Sequence, residues 1–67
     1  MRGEVKWFGI DKGYGFIAPE GGGKDVFVHI SELQKANIPL LKEGDKVEFE
    51  VAIGKNGRSQ AGNVILI

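Results

Sequence analysis

Residues 12–30 read KGYGFIAPEGGGKDVFVHI, two runs of aromatic and β-branched residues on either side of a glycine-rich break. Aromatic and β-branched residues favour strands, and clustered glycine favours a turn. The stretch therefore predicts a hairpin with strands at residues 14–18 and 25–30. Three more runs of similar composition predict further strands, at residues 5–10, 46–53 and 60–67.

Five short strands in a chain of 67 residues predict a small barrel. A chain of this length has room for one domain, which we place at residues 1–67. A flat sheet of five strands would leave two unpaired edges, whereas a closed barrel leaves none. We therefore expect an all-β fold, a five-stranded antiparallel barrel.

The connections after the third and fourth predicted strands carry turn signals. Residues 31–34 read SELQ, the pattern of a capping box in which Ser31 caps a helix and Gln34 reaches back, so one short helical turn is expected. The following Asn-Ile-Pro at residues 37–39 should end it. The Asn-Gly pair at residues 56–57 predicts a hairpin between the last two strands.

Polar and apolar residues alternate along the fourth predicted strand, which is typical of a strand with one buried face. The alternation assigns four side chains to the core: Val47, Phe49, Val51 and Ile53.

Alternation also places a group of rings on the outer face of the second and third strands. The inward positions are apolar: Ile17, Val26, Val28 and Ile30. The outward positions are Tyr14, Phe16, Phe27 and His29. A small domain seldom exposes so many rings unless something covers them. Nucleobases are suitable ligands to cover these rings, because stacking on an aromatic side chain contributes about 1–3 kcal/mol per base.

The charge distribution favours a single-stranded ligand over a duplex. Nine basic residues balance nine acidic ones, whereas proteins that bind duplexes through phosphates usually carry a positive excess. Lys6, Lys12 and Lys24 nevertheless flank the rings and can contact phosphates between stacked bases. Gly13 and Gly15 have no side chains, which would let a nucleic-acid strand approach closely and leave the rings uncovered.

The composition argues against several other classes of protein. The sequence has no cysteine and one histidine, so we expect no disulfide, no metal site and no catalytic triad. No segment has the pattern of a signal peptide or a membrane span, so we expect a cytoplasmic protein without a membrane partner. We expect neither catalysis nor a cofactor.

Residues 12–17 and 26–30 resemble the two ribonucleoprotein motifs of the cold-shock domain, and Lys6-Trp7-Phe8 resembles the segment that precedes them in that family. The similarity continues to the last strand, so it covers essentially the whole chain. It implies an oligonucleotide-binding barrel, or OB-fold, that takes single-stranded RNA or DNA with a preference for pyrimidines. The contact residues that it implies are Lys6, Trp7, Lys12, Tyr14, Phe16, Phe27 and His29, with Phe8 in the core.

The sequence departs from the family pattern at three places. Gly9 and Ile10 replace a more usual polar pair, and Ile30 and Ile38 stand where the family commonly has aromatic residues. Isoleucine makes apolar contacts but has no π-face. We keep Ile30 and Ile38 among the binding residues and predict weaker binding, or a footprint shorter by about one base. Phenylalanine at both positions should tighten binding.

The resemblance implies a passive RNA chaperone. Binding single strands but not duplexes would keep RNA single-stranded by mass action, and could thereby regulate transcription or translation in the cold. We expect a monomer. The alternative is an interaction module whose rings dock a protein partner, with the apolar ending at residues 65–67 as a dimer edge.

Overall fold

The structure is a computed structural model that describes residues 1–54 and 57–67. Within these ranges the chain forms five strands and one helix: β1 Arg2–Gly9, β2 Tyr14–Pro19, β3 Val26–His29, α1 Ile30–Lys35, β4 Lys46–Ile53 and β5 Ser59–Leu66. The five predicted strands are confirmed. Their ends differ most in β1, which begins at Arg2 rather than at Val5.

The strands form a closed barrel in the order β1-β2-β3-β5-β4, which confirms the predicted OB-type barrel. Four of the pairings are antiparallel. The pairing of β3 with β5, at Phe27 and Gln60, is parallel, so the predicted antiparallel arrangement holds for the other four pairings and not for this one. The odd-numbered strands all run in one direction, and closing the barrel by laying β5 beside β3 therefore makes that contact parallel.

The core lies inside the barrel and is capped by the segment that follows α1. Its buried apolar residues are Val5, Ile17, Val26, Val28, Leu33, Ile38, Leu41, Val47, Phe49, Ala61 and Val64. Phe8 is partly buried and packs against them, as the family resemblance implied. Because Ile17, Val26 and Val28 point inward, the alternate positions of β2 and β3 face outward.

The outer half of β4 does not contribute to the core. Val47 and Phe49 are buried as predicted, but Val51 is 41% exposed and Ile53 is 70% exposed, so their assignment to the core was wrong. The pairing of β1 with β4 reaches only to Glu48, Phe49 still bonds to Met1, and from Glu50 onward β4 pairs with β5 alone. Alternation identifies the face of a strand, but it does not tell whether another layer covers that face.

Helix α1 begins two residues earlier than it would with Ser31 as its N-cap. The N-cap is His29, so the prediction of Ser31 as the cap was wrong, and among the described residues the Gln34 side chain has no hydrogen-bond partner. Ile30 is the first helical residue rather than an inward-facing strand residue. A ring nitrogen of histidine can accept a hydrogen bond as a serine oxygen does, and His29 can therefore cap the helix in place of Ser31.

Helix α1 ends before residues 37–39, as the sequence predicted. The C-cap is Ala36, and Asn37 adopts a left-handed conformation with φ 59°. The predicted Asn56-Gly57 turn falls partly outside the described residues, because Asn56 is not among them. No helix in the described ranges is long and apolar enough to cross a membrane.

Candidate nucleic-acid interface

Five rings from three neighbouring strands form one continuous surface, which we call the aromatic face: Trp7, Tyr14, Phe16, Phe27 and His29. Strand register brings them together. Phe16 lies opposite Trp7 on one side and Phe27 on the other, and Tyr14 lies opposite His29. The predicted grouping of these residues on one face is therefore confirmed, while their contact with a ligand stays a prediction.

Neighbouring rings of the aromatic face contact one another. Trp7 and Phe16 are stacked, with centroids 6.4 Å apart, and so are Tyr14 and Phe27, at 5.6 Å. Edge-to-face pairs join these two stacks: Trp7 with Tyr14, Tyr14 with Phe16, and Phe16 with Phe27. Offset and edge-to-face pairs contribute about 0.5–1.5 kcal/mol each beyond the area that they bury. The rings therefore hold one another in orientation while their outer surfaces remain available.

The exposure of the rings is graded across the face. Trp7 is 38% exposed, and His29 is exposed as well. Tyr14, Phe16 and Phe27 are half-buried, because neighbouring rings cover their sides. This is the arrangement expected of a stacking surface, on which flat ligands can add to rings that are already fixed.

Gly15 serves the barrel rather than the ligand. It is buried, and a Cβ atom placed there would lie 2.5 Å from Cδ2 of Phe8 and would also overlap the Trp7 carbonyl oxygen. The expectation that Gly15 keeps the rings uncovered was therefore wrong, since it faces the interior and permits β1 and β2 to approach. Gly13, with φ 79°, lies in the turn that precedes β2.

Three lysines border the aromatic face in sequence, and the structure gives them different surroundings. Nζ of Lys6 lies 3.1 Å from a carboxylate oxygen of Asp25. The side chains of Lys12 and Lys24 are exposed and have no hydrogen-bond or ion-pair partner among the described residues. An exposed ion pair contributes about 0.2–1 kcal/mol, so Lys6 can exchange Asp25 for a phosphate at small cost.

A cationic residue that the sequence analysis missed lies beside the rings. Cζ of Arg58 is 6.0 Å from the centroid of Phe27, at the outer limit of a cation–π contact. The guanidinium also borders a cleft of about 380 Å³, whose other lining residues are Phe16, Lys24, Asp25, Gly57 and Ser59. Arg58 could have been placed near Phe27 only by knowing that β5 pairs with β3, and a single sequence does not reveal that pairing.

Ile30 and Ile38, the two isoleucines kept among the predicted binding residues, lie in different surroundings. Both line a shallow cavity of about 490 Å³ with Gln34, Asn37 and Pro39. Ile30 is half-buried, and its backbone N–H donates to the carbonyl of Gly13. Ile38 is 9% exposed and belongs to the core. Of the two, Ile30 therefore keeps the more accessible side chain, and it directly follows His29 of the aromatic face in the chain.

The charged side chains away from the aromatic face form no catalytic arrangement in the described part of the chain. The described residues include no buried charged side chain and no cluster of three or more potential metal ligands. The pKa of Lys46 is raised by its hydrogen bond to Glu4, 2.7 Å long, and then by the charge of that carboxylate. This exposed pair joins β1 to β4 and includes no ring of the aromatic face.

A closed five-stranded barrel that carries stacked rings on one outer face defines an OB-type nucleic-acid-binding module. The chain belongs to the family of the 'Cold-shock' DNA-binding domain, whose family model matches residues 1–67. This confirms the resemblance of the ribonucleoprotein motifs. The family is a nucleic-acid-binding one and not a family of enzymes.

Curated relatives agree over nearly their whole length. The chain is 52% identical over 67 residues to cold shock-like protein CspE of Escherichia coli strain K12, covering 100% of this chain and 96% of the relative. It is 54% identical over 65 residues to cold shock-like protein CspE of Buchnera aphidicola from Acyrthosiphon pisum, covering 97% and 93%. It is 53% identical over 66 residues to cold shock-like protein CspB of Escherichia coli strain K12, covering 98% and 92%.

Proposed function

We propose that this protein binds single-stranded RNA or DNA by stacking bases on the aromatic face. The observation that carries the proposal is the continuity of five outward rings over a separate, fully apolar core. A monomer has no packing use for such a surface, because its core is already filled from the opposite side of the same strands. Cations at the border would contact the phosphates: Lys6, Lys12, Lys24 and Arg58.

The expected affinity follows from the number of rings. Stacking contributes about 1–3 kcal/mol per base, and a micromolar dissociation constant corresponds to about 8 kcal/mol. Four or five stacked bases can therefore support micromolar binding or better after the strand is ordered. A formal charge of zero limits the electrostatic contribution. Duplexes, whose bases are already stacked on each other, should bind weakly.

In the cell we expect the protein to act as a passive RNA chaperone in the cytoplasm. A protein that binds single strands and not hairpins shifts the folding of RNA by mass action, without nucleotide hydrolysis. The relatives are named for cold shock, and base pairing strengthens as temperature falls. Keeping RNA open under those conditions would regulate transcription or translation. A preference for pyrimidine-rich strands is part of this proposal.

Trp7, the only tryptophan, reports directly on the proposed site. Its fluorescence would be followed at fixed salt during titration with a short oligothymidine, an oligoadenosine and a hairpin duplex. Strong quenching by the thymidine strand, weaker quenching by adenosine and almost none by the duplex would support the proposal. No response to either single strand would contradict it.

The alternative of a protein-docking module keeps one observation in its favour. The predicted apolar ending is exposed, with Ile65 at 58%, Leu66 at 48% and Ile67 at 61%. Ile65 and Leu66 end β5 and Ile67 follows it, all outside the aromatic face, so the two activities can be tested separately. Sedimentation as a monomer together with full oligonucleotide binding would remove the alternative, and a concentration-dependent dimer would support it.

A further inference from the structure

The imidazole of His29 is held at one of its two nitrogens. Nδ1 lies 3.1 Å from the backbone nitrogen of Ser31 and 3.0 Å from its Oγ atom. Because His29 is the N-cap of α1, this contact satisfies one of the first amide groups of the helix. The orientation of the ring is therefore fixed by the helix backbone and not only by the strand that carries it.

The contact with Ser31 also determines the tautomer of His29. A backbone N–H can only donate, so Nδ1 must keep its lone pair and accept. In the neutral imidazole the hydrogen then lies on Nε2. Among the described residues no group forms a hydrogen bond with Nε2, and the side chain is exposed. His29 thus presents an unused donor to solvent.

That donor lies at one end of the aromatic face. The centroid of the His29 ring is 6.4 Å from that of Phe27, and the two planes are tilted by 36°. Tyr14 lies opposite His29 in the strand register. A base stacked on the neighbouring ring of Phe27, rather than on His29 itself, is the one whose edge could accept from Nε2, because an imidazole N–H lies in the plane of its own ring.

We propose that the backbone N–H of Ser31 fixes His29 as a hydrogen-bond donor through Nε2, and that this donor selects thymine or uracil over cytosine at one position of the bound strand. Thymine carries the O4 acceptor where cytosine carries the N4 amino donor, and uracil shares the keto group of thymine. Two donors facing each other cannot pair. The inference rests on the proposed function, since it requires a base on the aromatic face.

The tautomer can be tested in the ligand-free protein. Imidazole nitrogen chemical shifts, recorded by NMR at pH about 8.5, well above the ordinary titration range of histidine, distinguish a protonated Nε2 from a protonated Nδ1. We expect the Nε2–H form in the wild type. We also expect it in Ser31→Ala, because the backbone N–H that imposes it remains. A predominant Nδ1–H form in the wild type would overturn the inference.

The selectivity can be tested by moving a single cytidine through a short oligothymidine. In the wild type, one position should show a loss of about 3- to 10-fold in affinity, the value of one neutral hydrogen bond. His29→Phe keeps a stacking ring but removes both the cap and the donor. His29→Asp keeps a competent cap but removes the donor, because an ionised carboxylate only accepts hydrogen bonds. Both variants should lose the positional penalty, although only His29→Phe loses the cap and should melt at a lower temperature.

The outcomes separate the possible failures. If wild type binds oligothymidine and shows no position-specific penalty, or if the penalty persists in both His29 variants, the selectivity is wrong while the stacking proposal stands. If the wild type fails to bind any single strand, the proposed function fails, and the selectivity fails with it. A lost penalty in His29→Phe alone would point to the cap rather than the donor and would also overturn the inference.

Discussion

Ile30 and Ile38 line the same shallow cavity, yet Ile30 keeps part of its side chain exposed whereas Ile38 packs into the core. Ile30 is half-buried at the start of α1, beside Gly13. Ile38 is 9% exposed and follows the left-handed Asn37, which turns the chain back over the barrel. The same substitution should therefore have opposite consequences at these two positions.

Ile30→Phe should tighten binding to oligothymidine. The new ring would extend the aromatic face toward the cavity and provide a π-surface for one more base. Because stacking contributes about 1–3 kcal/mol and the existing isoleucine already makes apolar contact, we expect a gain of about 3- to 10-fold. Trp7 fluorescence titration measures it. Ile30→Leu, which changes the shape without adding a ring, is the control, and an equal gain in that variant would contradict the stacking argument.

Ile38→Phe should destabilise the fold instead of tightening binding. Ile38 packs in the core, and overpacking a core position typically costs about 1–3 kcal/mol. The sequence alone predicted tighter binding from this change, and burial of Ile38 is the reason for revising that expectation. Urea denaturation gives the free energy of unfolding. Ile38→Val, a smaller change in the same place, should cost about 0.5–1.5 kcal/mol. A fully stable Ile38→Phe protein with tighter binding would mean that residue 38 turns outward to meet the ligand.

The difference between Ile30 and Ile38 illustrates what the sequence could and could not predict. Alternation in β2 and β3 identified the outward rings correctly, because both faces of a strand are defined by a period of two. It failed at Val51, which points to the expected face but has no layer over it. The Arg58 contact with Phe27 and the His29 cap depend on distances between atoms that only the folded chain brings together.

Gly15→Ala should destabilise the barrel by about 2 kcal/mol or more, in the range of overpacked cores. The added Cβ would meet backbone atoms of β1 that cannot rotate away, along with Cδ2 of Phe8 at 2.5 Å. Relief requires β1 and β2 to separate, which would also displace Trp7 from its stack with Phe16. Thermal or urea unfolding measures the loss, and a weaker Trp7 response to oligothymidine should accompany it.

Gly62→Ala is the matched control for Gly15→Ala. Gly62 also lies within a strand, and a Cβ atom there would meet only Oε1 of Glu32 at 3.8 Å, an ordinary contact. Its stability should stay within about 0.5 kcal/mol of wild type or rise slightly, because alanine restricts the unfolded chain more than glycine does. Equal destabilisation by the two substitutions would show that loss of glycine as such, and not the close approach of β1, is responsible.

Arg58→Gln should weaken binding and reduce its dependence on salt. The guanidinium lies over Phe27 and borders the cleft with Lys24, so a strand stacked on Phe16 and Phe27 would place a phosphate between the two cations. For single strands each phosphate contact contributes about 0.7 to the slope of the logarithm of affinity against the logarithm of salt concentration. We expect the slope of the Arg58→Gln variant to be smaller by about this amount, measured by Trp7 fluorescence at several salt concentrations.

Two further variants separate a phosphate contact from the other roles that Arg58 can have. Arg58→Lys keeps the charge and should retain the wild-type slope, although it loses the planar stacking surface over Phe27. Lys42→Gln removes an exposed cation that lies outside the cleft and the aromatic face, and should leave the slope unchanged. Tighter binding by Arg58→Gln would mean that the guanidinium shields Phe27 from the incoming base. In that case Arg58 competes with the ligand for the ring, and the phosphate contact assigned to it is wrong.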